Sequence, residues 1–185
     1  MKPPPAKHHV KVQTPLGFAG VVYRDEPFGL LEILLPQPGD DLRARLQALG
    51  SPETGRHPDA LALAQAIGDY FEGRPPASAW PHWPWLDLSG LPPLQQAALK
   101  ATAGIPYGQT RTYREVAQAA GNPGAARAAG TALAQNPYPV LIPCHRVIRS
   151  DGSCGQFGGG THLKRAMLAL ERQGLRAAAA APINR

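Results

Sequence analysis

The sequence predicts an N-terminal α/β part with a small antiparallel sheet, followed by an all-α part with a helix-turn-helix. Three short apolar or alternating stretches near the N-terminus, separated by turn residues, predict the sheet. In the second half, residues that begin and end helices recur at short intervals and predict the helices. We place the first part, with its connector, at residues 1–89, the second at 90–176 and a tail at 177–185.

The N-terminal elements are short and closely spaced. The predicted strands are 10–13, 18–24 and 30–35, after a frayed leader at 1–9. The predicted helices are 40–49 and 58–71. A proline-rich connector at 75–93 follows, and we expect its three tryptophans to anchor it against a core: Trp80, Trp83 and Trp85.

Two helices are predicted in the first part of the C-terminal half. Residues 92–103 carry an apolar stripe and predict one of them. Thr112, with Glu115 three residues later, has the form of a capping box and therefore begins the other. Gly121 is expected to close that helix.

A third helix is predicted over residues 123–135, because Asn122 is a favourable N-cap and Pro123 a favourable first residue. Two helices joined this tightly favour a helix-turn-helix, and the alternative is an ordinary helical hairpin. The third helix contains six alanines, two glycines and one charged residue, Arg127. Such small side chains allow close approach to another surface, or packing of the helix into the protein core.

Composition excludes several classes of protein. The chain has 185 residues, of which 43% are hydrophobic, as in a globular domain. It has no run of 18 apolar residues and no apolar signal-peptide core after Met1, so we expect no membrane segment and a cytoplasmic location. The two cysteines, Cys144 and Cys154, form no metal-binding spacing, and we predict no metal and no cofactor.

Positive charge is concentrated in the second half of the chain. Residues 1–99 contain 8 Lys and Arg against 10 Asp and Glu, whereas residues 100–185 contain 11 against 3. A basic half favours a polyanion partner, most simply nucleic acid. The alternative is a high isoelectric point that serves solubility alone.

A candidate nucleophile lies in Leu141-Ile142-Pro143-Cys144-His145-Arg146-Val147-Ile148. A cysteine attacks as the thiolate, and a histidine that reaches it supplies the base. Since adjacent residues of a strand point to opposite faces, Cys144 and His145 need a turn in order to cooperate. The alternative is a buried structural cysteine in an apolar strand.

A carboxylate partner for that histidine is predicted on the last helix, which follows residues 158–161 and ends at Gly174. Glu171 comes four residues after Met167 of the apolar stripe and so borders the buried face. A carboxylate there needs a partner, and His145 is the candidate. The alternative is an exposed glutamate paired with a basic residue of the same helix, Lys164 or Arg172.

The stretch Pro143-Cys144-His145-Arg146-Val147 closely resembles the active-site signature of the O6-alkylguanine-DNA alkyltransferases, the methylated-DNA–protein-cysteine methyltransferases. The resemblance is strong over residues 91–174. Further motifs match in the same order along the chain: Tyr113, Gly121-Asn122-Pro123, Ala126-Arg127-Ala128, Asn136-Pro137, Gly159-Gly160, Lys164 and Glu171.

The resemblance implies a DNA repair protein that takes the alkyl group of O6-alkylguanine onto its own cysteine once. It implies a ribonuclease H-like N-terminal domain, a helix-turn-helix DNA-binding domain, and a monomer that acts on double-stranded DNA containing alkylated bases. Cys144 would be the acceptor, with His145 and Glu171 as its proton relay. Tyr113 would assist the leaving guanine, and Asn136 would brace the turn behind the cysteine.

The same resemblance assigns the residues that hold DNA and substrate. Arg127 would enter the base stack in place of the flipped nucleotide. The other residues expected at the DNA are Arg114, Tyr113 and Ala126. The substrate pocket would be lined by Val147, Phe157, Gly158 and Lys164.

Three features depart from the family pattern. Gly158 stands where some relatives have serine, and Phe157 where tyrosine is frequent, which puts the substrate range in question. The N-terminal half contains no cysteine, so the zinc site of some relatives cannot be present.

Two other classes of function compete with this one. A non-catalytic alkyltransferase-like binding protein would lack the nucleophile, and Cys144 speaks against it. A cysteine hydrolase would leave the basic half and the helix-turn-helix unexplained.

Overall fold

The computed structural model describes residues 6–37, 39, 41–51, 53–74 and 85–180. Within these residues the three predicted strands form an antiparallel meander, which confirms the small sheet. The strands are β1 (His8–Thr14), β2 (Gly17–Arg24) and β3 (Gly29–Leu34). A two-residue strand that the sequence did not predict, β4 (Glu53–Thr54), pairs parallel to β1, giving the order β3-β2-β1-β4.

The predicted leader ends earlier than expected. His8 and His9 belong to β1, where they pair with Tyr23 and Val22 of β2. Pairing satisfies the backbone groups of these residues, and that overrides their weak local preference for a strand.

Two helices cover opposite faces of the sheet. Helix α1 (Leu42–Ala48) packs its buried residues Leu42 and Leu46 against Val22 and Leu34. Helix α2 (Pro58–Phe71) spans the predicted range and joins the main core on the other face. Successive residues of β2 therefore serve different cores, as the alternation of a strand requires.

The C-terminal half is mostly helical. Helices α3 (Pro93–Ala103), α4 (Tyr113–Ala119) and α5 (Ala126–Ala134) contact one another. The predicted capping box is present at the start of α4, with Thr112 and Glu115 each bonding to the other's backbone N–H. A parallel pair of two-residue strands, β5 (Arg111–Thr112) and β6 (Val147–Ile148), departs from the all-α expectation.

The start of α5 corrects a prediction. Residues Asn122 and Pro123 do not begin the helix, because the carbonyl of Asn122 accepts a hydrogen bond from Ala125 N (2.9 Å) and closes a turn. The helix begins after that turn, at Ala126, and no side chain caps it.

The end of the last helix corrects another. Helix α6 (Gly160–Ala180) continues through Gly174 into the predicted tail. Gly174 is buried, and a Cβ there would lie 2.6 Å from both Gly73 O and the Tyr107 hydroxyl. This glycine therefore permits close packing and does not terminate the helix.

The two halves share one hydrophobic core. Its buried residues come from β1–β3 and α2 as well as from α3–α6. Ile33 N of β3 donates to Pro137 O (2.9 Å), and the Tyr138 hydroxyl donates to Asp87 O (3.0 Å). Trp85 packs edge-on against Phe28, with ring centroids 5.1 Å apart, as expected for an anchor; Trp80 and Trp83 lie outside the described residues.

Across the described ranges, no helix combines the length and the apolar character needed to cross a membrane.

Candidate active site

The stretch that holds Cys144 is a tight turn. Cys144–Arg146 forms one turn of 3₁₀ helix, in which Arg146 N donates to Pro143 O (2.9 Å). Asn136 lies behind this turn. Its side-chain amide donates to Ile142 O (2.8 Å) and to Cys144 Sγ (3.1 Å).

The backbone leading into the turn is strained. Val140 has a φ of 74°, a conformation that β-branched residues rarely adopt. A residue held this way costs on the order of 1–3 kcal/mol and persists only where its surroundings determine it. The restraints here include the bond from Ile142 N to Tyr138 O (2.8 Å) and the bond from Tyr138 N to the Asn136 side chain (3.0 Å).

Behind Cys144, His145 and Glu171 are fully buried partners. His145 Nε2 lies 2.6 Å from Glu171 Oε1, and Arg146 donates to both oxygens of the same carboxylate at 2.9–3.0 Å. Arg146 Nη1 also donates to Ile105 O (2.6 Å). The exposed alternative for Glu171, paired with Lys164 or Arg172, is therefore wrong.

Two further donors complete the shell of Glu171. Gly108 N donates to Oε2 (2.7 Å), and the hydroxyl of Tyr70 donates to Oε1 (3.0 Å). Tyr70 belongs to α2 of the N-terminal half, and the same hydroxyl lies 3.0 Å from His145 Nε2. His145 Nδ1, the other ring nitrogen, is buried without a hydrogen-bond partner among the described residues.

The pKa shifts in this cluster indicate that Cys144 and His145 are both uncharged before substrate binds. Burial raises the pKa of the Cys144 thiol to about 11, although Asn136 and Lys164 oppose the shift. Burial also lowers the pKa of His145, although its hydrogen bond to Glu171 opposes the shift. Burial alone would raise the pKa of Glu171, but its bonds to His145 and Arg146 bring it down to about 2. Cys144 therefore rests as a thiol beside a neutral imidazole and an ionised carboxylate.

A second polar cluster joins Tyr113 and Lys164. Lys164 Nζ donates to Val147 O (2.5 Å) and to the Tyr113 hydroxyl (3.2 Å), and that hydroxyl donates to Gln156 O (3.1 Å). Burial lowers the pKa of Lys164 to about 8 and raises the pKa of Tyr113. A neutral phenol thus lies beside an amine whose pKa is close to neutrality.

Cys144 lines a cavity of about 300 Å³ between the two halves. Phe157 and Gly158 line it too, whereas the other two residues expected in the pocket, Val147 and Lys164, are buried and do not line it. The N-terminal half supplies the opposite wall with Glu32, Ile33, Leu35, Gln37 and Arg45.

Glycine at position 158 has a steric reason. A Cβ built there would lie 2.9 Å from Ala134 O, a backbone atom that cannot move alone. The serine found in some relatives would not fit this backbone, so the departure at Gly158 follows from how closely α5 approaches.

All four residues expected at DNA line one groove of about 440 Å³: Tyr113, Arg114, Ala126 and Arg127. Arg114 and Arg127 are exposed. The groove also contains Gly130, Thr131, Ser150, Gln156 and a third arginine, Arg149, which the sequence did not single out. Gln156 lines this groove while Phe157 and Gly158 line the cavity, so this short segment separates the two.

The sequence did not predict a place in the site for four residues: Tyr70, Gly108, Arg146 and Arg149. The position of Arg146 directly after His145 was an available signal, since a buried carboxylate such as Glu171 needs a cationic partner. Nothing local marks Tyr70 or Gly108. Among the described residues there is no group of three His, Cys, Asp or Glu side chains that could hold a metal ion.

Comparison with known proteins gives consistent matches. Residues 93–173 match the family model described as 6-O-methylguanine DNA methyltransferase, DNA binding domain. A methylated-DNA–protein-cysteine methyltransferase of Mycolicibacterium paratuberculosis is 40% identical over 153 residues, which are 80% of this chain and 90% of that protein.

Solved structures match over nearly the whole chain. The Mycobacterium tuberculosis O6-methylguanine methyltransferase superposes with a TM-score of 0.70 at 31% identity, covering 96% of both chains. The Mycobacterium tuberculosis OGT in complex with DNA superposes with a TM-score of 0.68 at 33% identity, covering 90% of this chain and 94% of that one.

Proposed function

Since the chain belongs to the methylated-DNA–protein-cysteine methyltransferase family, we propose that it repairs DNA by moving the alkyl group of O6-alkylguanine to its own Cys144. The observation that carries this proposal is the position of Cys144. Cys144 lines a cavity large enough for a base, while a buried histidine-carboxylate pair follows it in the same turn.

The relay generates the nucleophile when substrate is bound. The Cys144 proton passes to His145 Nδ1, through a water between them, and Glu171 stabilises the imidazolium at Nε2. The sulfur then forms a bond to the alkyl carbon while the bond from that carbon to guanine O6 breaks. Because the resting thiol has a pKa of about 11, the thiolate is formed only in concert with this transfer.

The leaving guanine needs a proton, and we assign its donation to Tyr113. The pKa of the Tyr113 phenol is raised by burial, so it is protonated at neutral pH. Lys164, 3.2 Å from the phenol oxygen, stabilises the phenolate and returns the proton. The thiol proton taken by His145 balances the proton given to guanine.

DNA is held in the groove beside α5. We assign α4 and α5 as a helix-turn-helix that follows a ribonuclease H-like N-terminal domain, with the boundary near residue 90. The start of α5 has no side-chain cap, so its backbone N–H groups are available to a phosphate. Arg127 fills the space of the flipped nucleotide, and Arg114 holds the backbone.

The product limits each molecule to one reaction. A thioether is not cleaved by the histidine, carboxylate, phenol or amine of this site, so Cys144 is not regenerated. We propose that the protein acts as a monomer. We place the protein in the cytoplasm, where the free thiols of Cys144 and Cys154 remain reduced.

A methyl-transfer assay with single-cysteine variants tests the proposal. After incubation with duplex DNA containing labelled O6-methylguanine, mass spectrometry should find one methyl group per protein, on the Cys144 peptide. Cys154→Ser should transfer fully, whereas Cys144→Ser should transfer nothing yet still bind the modified duplex. Turnover beyond one equivalent, or methylation of Cys154 instead, would contradict the mechanism.

A further inference from the structure

Among the described residues of the N-terminal half, Tyr70 alone is hydrogen-bonded to the relay formed by His145 and Glu171. Its side chain is 1% exposed, and its hydroxyl lies 3.0 Å from both His145 Nε2 and Glu171 Oε1. The aromatic ring packs edge-on against Phe71 and His145, which fixes its orientation. The mechanism above assigns this hydroxyl no role.

The positions of the protons determine which hydrogen bonds the Tyr70 hydroxyl donates and accepts. Glu171 is ionised and only accepts, and the 2.6 Å distance to Oε1 requires a proton on His145 Nε2. The single proton of Tyr70 then points to Glu171, and the hydroxyl oxygen turns its lone pair toward the Nε2–H. Burial and the charge of Glu171 raise the pKa of Tyr70 well above its ordinary value, so the hydroxyl keeps this proton.

We propose that Tyr70 is a positioning residue through which the N-terminal half stabilises the imidazolium form of His145. The fixed hydroxyl of Tyr70 directs its oxygen toward His145 Nε2–H and its proton toward Glu171, so one hydroxyl group orients both residues of the relay. The proposal rests on the proposed function, because His145 must accept the Cys144 proton for the dipole to matter.

The sign of the effect follows from the charges around the ring. The groups that face the relay from the neighbouring elements are Glu171, Arg146, Lys164, Tyr107 and Cys144. The cations Arg146 and Lys164 disfavour an imidazolium, while Glu171 favours it. The lone pair of the Tyr70 hydroxyl oxygen, like Glu171, favours the imidazolium. Without it, His145 accepts the thiol proton less readily, and the apparent pKa of Cys144 rises further.

The test is Tyr70→Phe in the full chain with Cys154→Ser, so that only Cys144 reacts. Two rates are measured from pH 6 to 11: single-turnover methyl transfer from an O6-methylguanine duplex, and alkylation by iodoacetamide. We expect both rates near pH 7 to fall roughly three- to tenfold, the factor for one neutral hydrogen bond. Because the thiol pKa is about 11 already in the parent, the alkylation rate still rises at the upper end of this range, and the variant should reach a given rate at a pH about 0.5 to 1 unit above the parent.

Tyr23→Phe is the matched control. Tyr23 is also fully buried in the N-terminal half, and its hydroxyl accepts a bond from His57 N (3.2 Å), away from the relay. This variant should lose stability while its alkylation rate per competent molecule stays at the parent value at each pH.

The outcomes separate the hypotheses. End-point transfer counts the competent molecules, so partial misfolding changes the amplitude and not the rate. An alkylation rate equal to that of the parent near pH 7, a loss that Tyr23→Phe shares, or a Tyr70→Phe protein with no competent fraction would each overturn the positioning role. If the parent transfers no methyl group at all, the proposed function fails, while the iodoacetamide profile still reports on Tyr70.

Discussion

Glu171 holds the buried charge of the site in place. Its two oxygens accept from Arg146, Tyr70 and Gly108, and Oε1 pairs with His145. Removing a carboxylate from water costs several kcal/mol, which only such a complete set of donors offsets. The carboxylate is therefore a structural ion pair as well as the partner of the base.

This dual role predicts an acid-dependent loss of stability. The folded pKa of Glu171, about 2, lies below its ordinary value of 4.5, so its contribution is present above pH 4.5 and is lost as pH falls toward 2. The contribution is about 3 kcal/mol. In urea unfolding, the stability difference between the parent and Glu171→Gln should shrink over this interval.

Glu72→Gln serves as the control for that measurement, because Glu72 is an exposed glutamate paired with Arg74. Its stability difference from the parent should change little with pH. A difference for Glu171→Gln that stays constant from pH 5 to pH 2.5 would mean that the carboxylate is not held ionised by the fold.

Gly158 predicts a steric effect at the same scale. Gly158→Ala places a Cβ 2.9 Å from Ala134 O, so either α5 or the segment at 158 must shift. We expect destabilisation by about 1–3 kcal/mol, as for overpacking. Thermal unfolding should show this loss, whereas Gly124→Ala, whose Cβ would meet no atom within 4 Å, should show almost none. Equal effects of the two substitutions would refute the steric explanation.

At the scale of elements, α5 links the cavity to the groove. Its last residues, Leu133 and Ala134, line the cavity, and its first residues, Ala126 and Arg127, line the groove. Its small side chains let Ala129 and Ala132 be buried against the core while Arg127 remains exposed. Packing into the core therefore applies to one face of α5, and close approach of the other face to DNA stays a prediction.

The position of Arg127 predicts a selective effect on duplex DNA. If Arg127 replaces the flipped base, Arg127→Ala should slow transfer from duplex DNA at least tenfold while leaving transfer from a free O6-alkylguanine base near the parent rate. Single-turnover rates on both substrates measure this. Arg172→Ala, an exposed arginine of α6, should affect neither rate. A matching loss on both substrates would place Arg127 in folding or chemistry.

At the scale of the whole molecule, part of the excess positive charge of the C-terminal half lies along one groove. Arg114, Arg127 and Arg149 line one groove on the basic half. The alternative, that the charge serves solubility alone, does not explain why three arginines line the same groove. The prediction of a family that acts on DNA is confirmed by the match over residues 93–173 and by the relative that covers 80% of the chain.

The groove predicts salt-dependent binding. Each phosphate contact releases a counterion, so the logarithm of the affinity for unmodified duplex should fall linearly with the logarithm of salt concentration. Arg149→Ala should reduce the slope by about one, the share of a single contact, uniformly across DNA sequences. Fluorescence anisotropy at several salt concentrations measures both. Arg43→Ala on α1 should leave the slope unchanged, and an affinity independent of salt would contradict the assignment of the groove.

By itself, the sequence determined the family, the three-stranded meander, α2 and the capping box of α4. The strands, α2 and the capping box each depend on residues within a few positions of one another, and the family depends on short motifs that follow in order along the chain. Thr112 and Glu115 meet because they lie three residues apart at a helix start. The two-residue strands β4, β5 and β6 were missed because so short a segment has no period to detect.

The tertiary structure decided how the site is assembled. Tyr70 meets Glu171 across 101 positions of sequence, and Arg146 meets it across 25. No local pattern encodes such contacts, which form because the two halves share one core and the buried carboxylate requires donors from every side. The same packing explains Gly158 and Gly174, whose missing side chains are understood only from the atoms beside them.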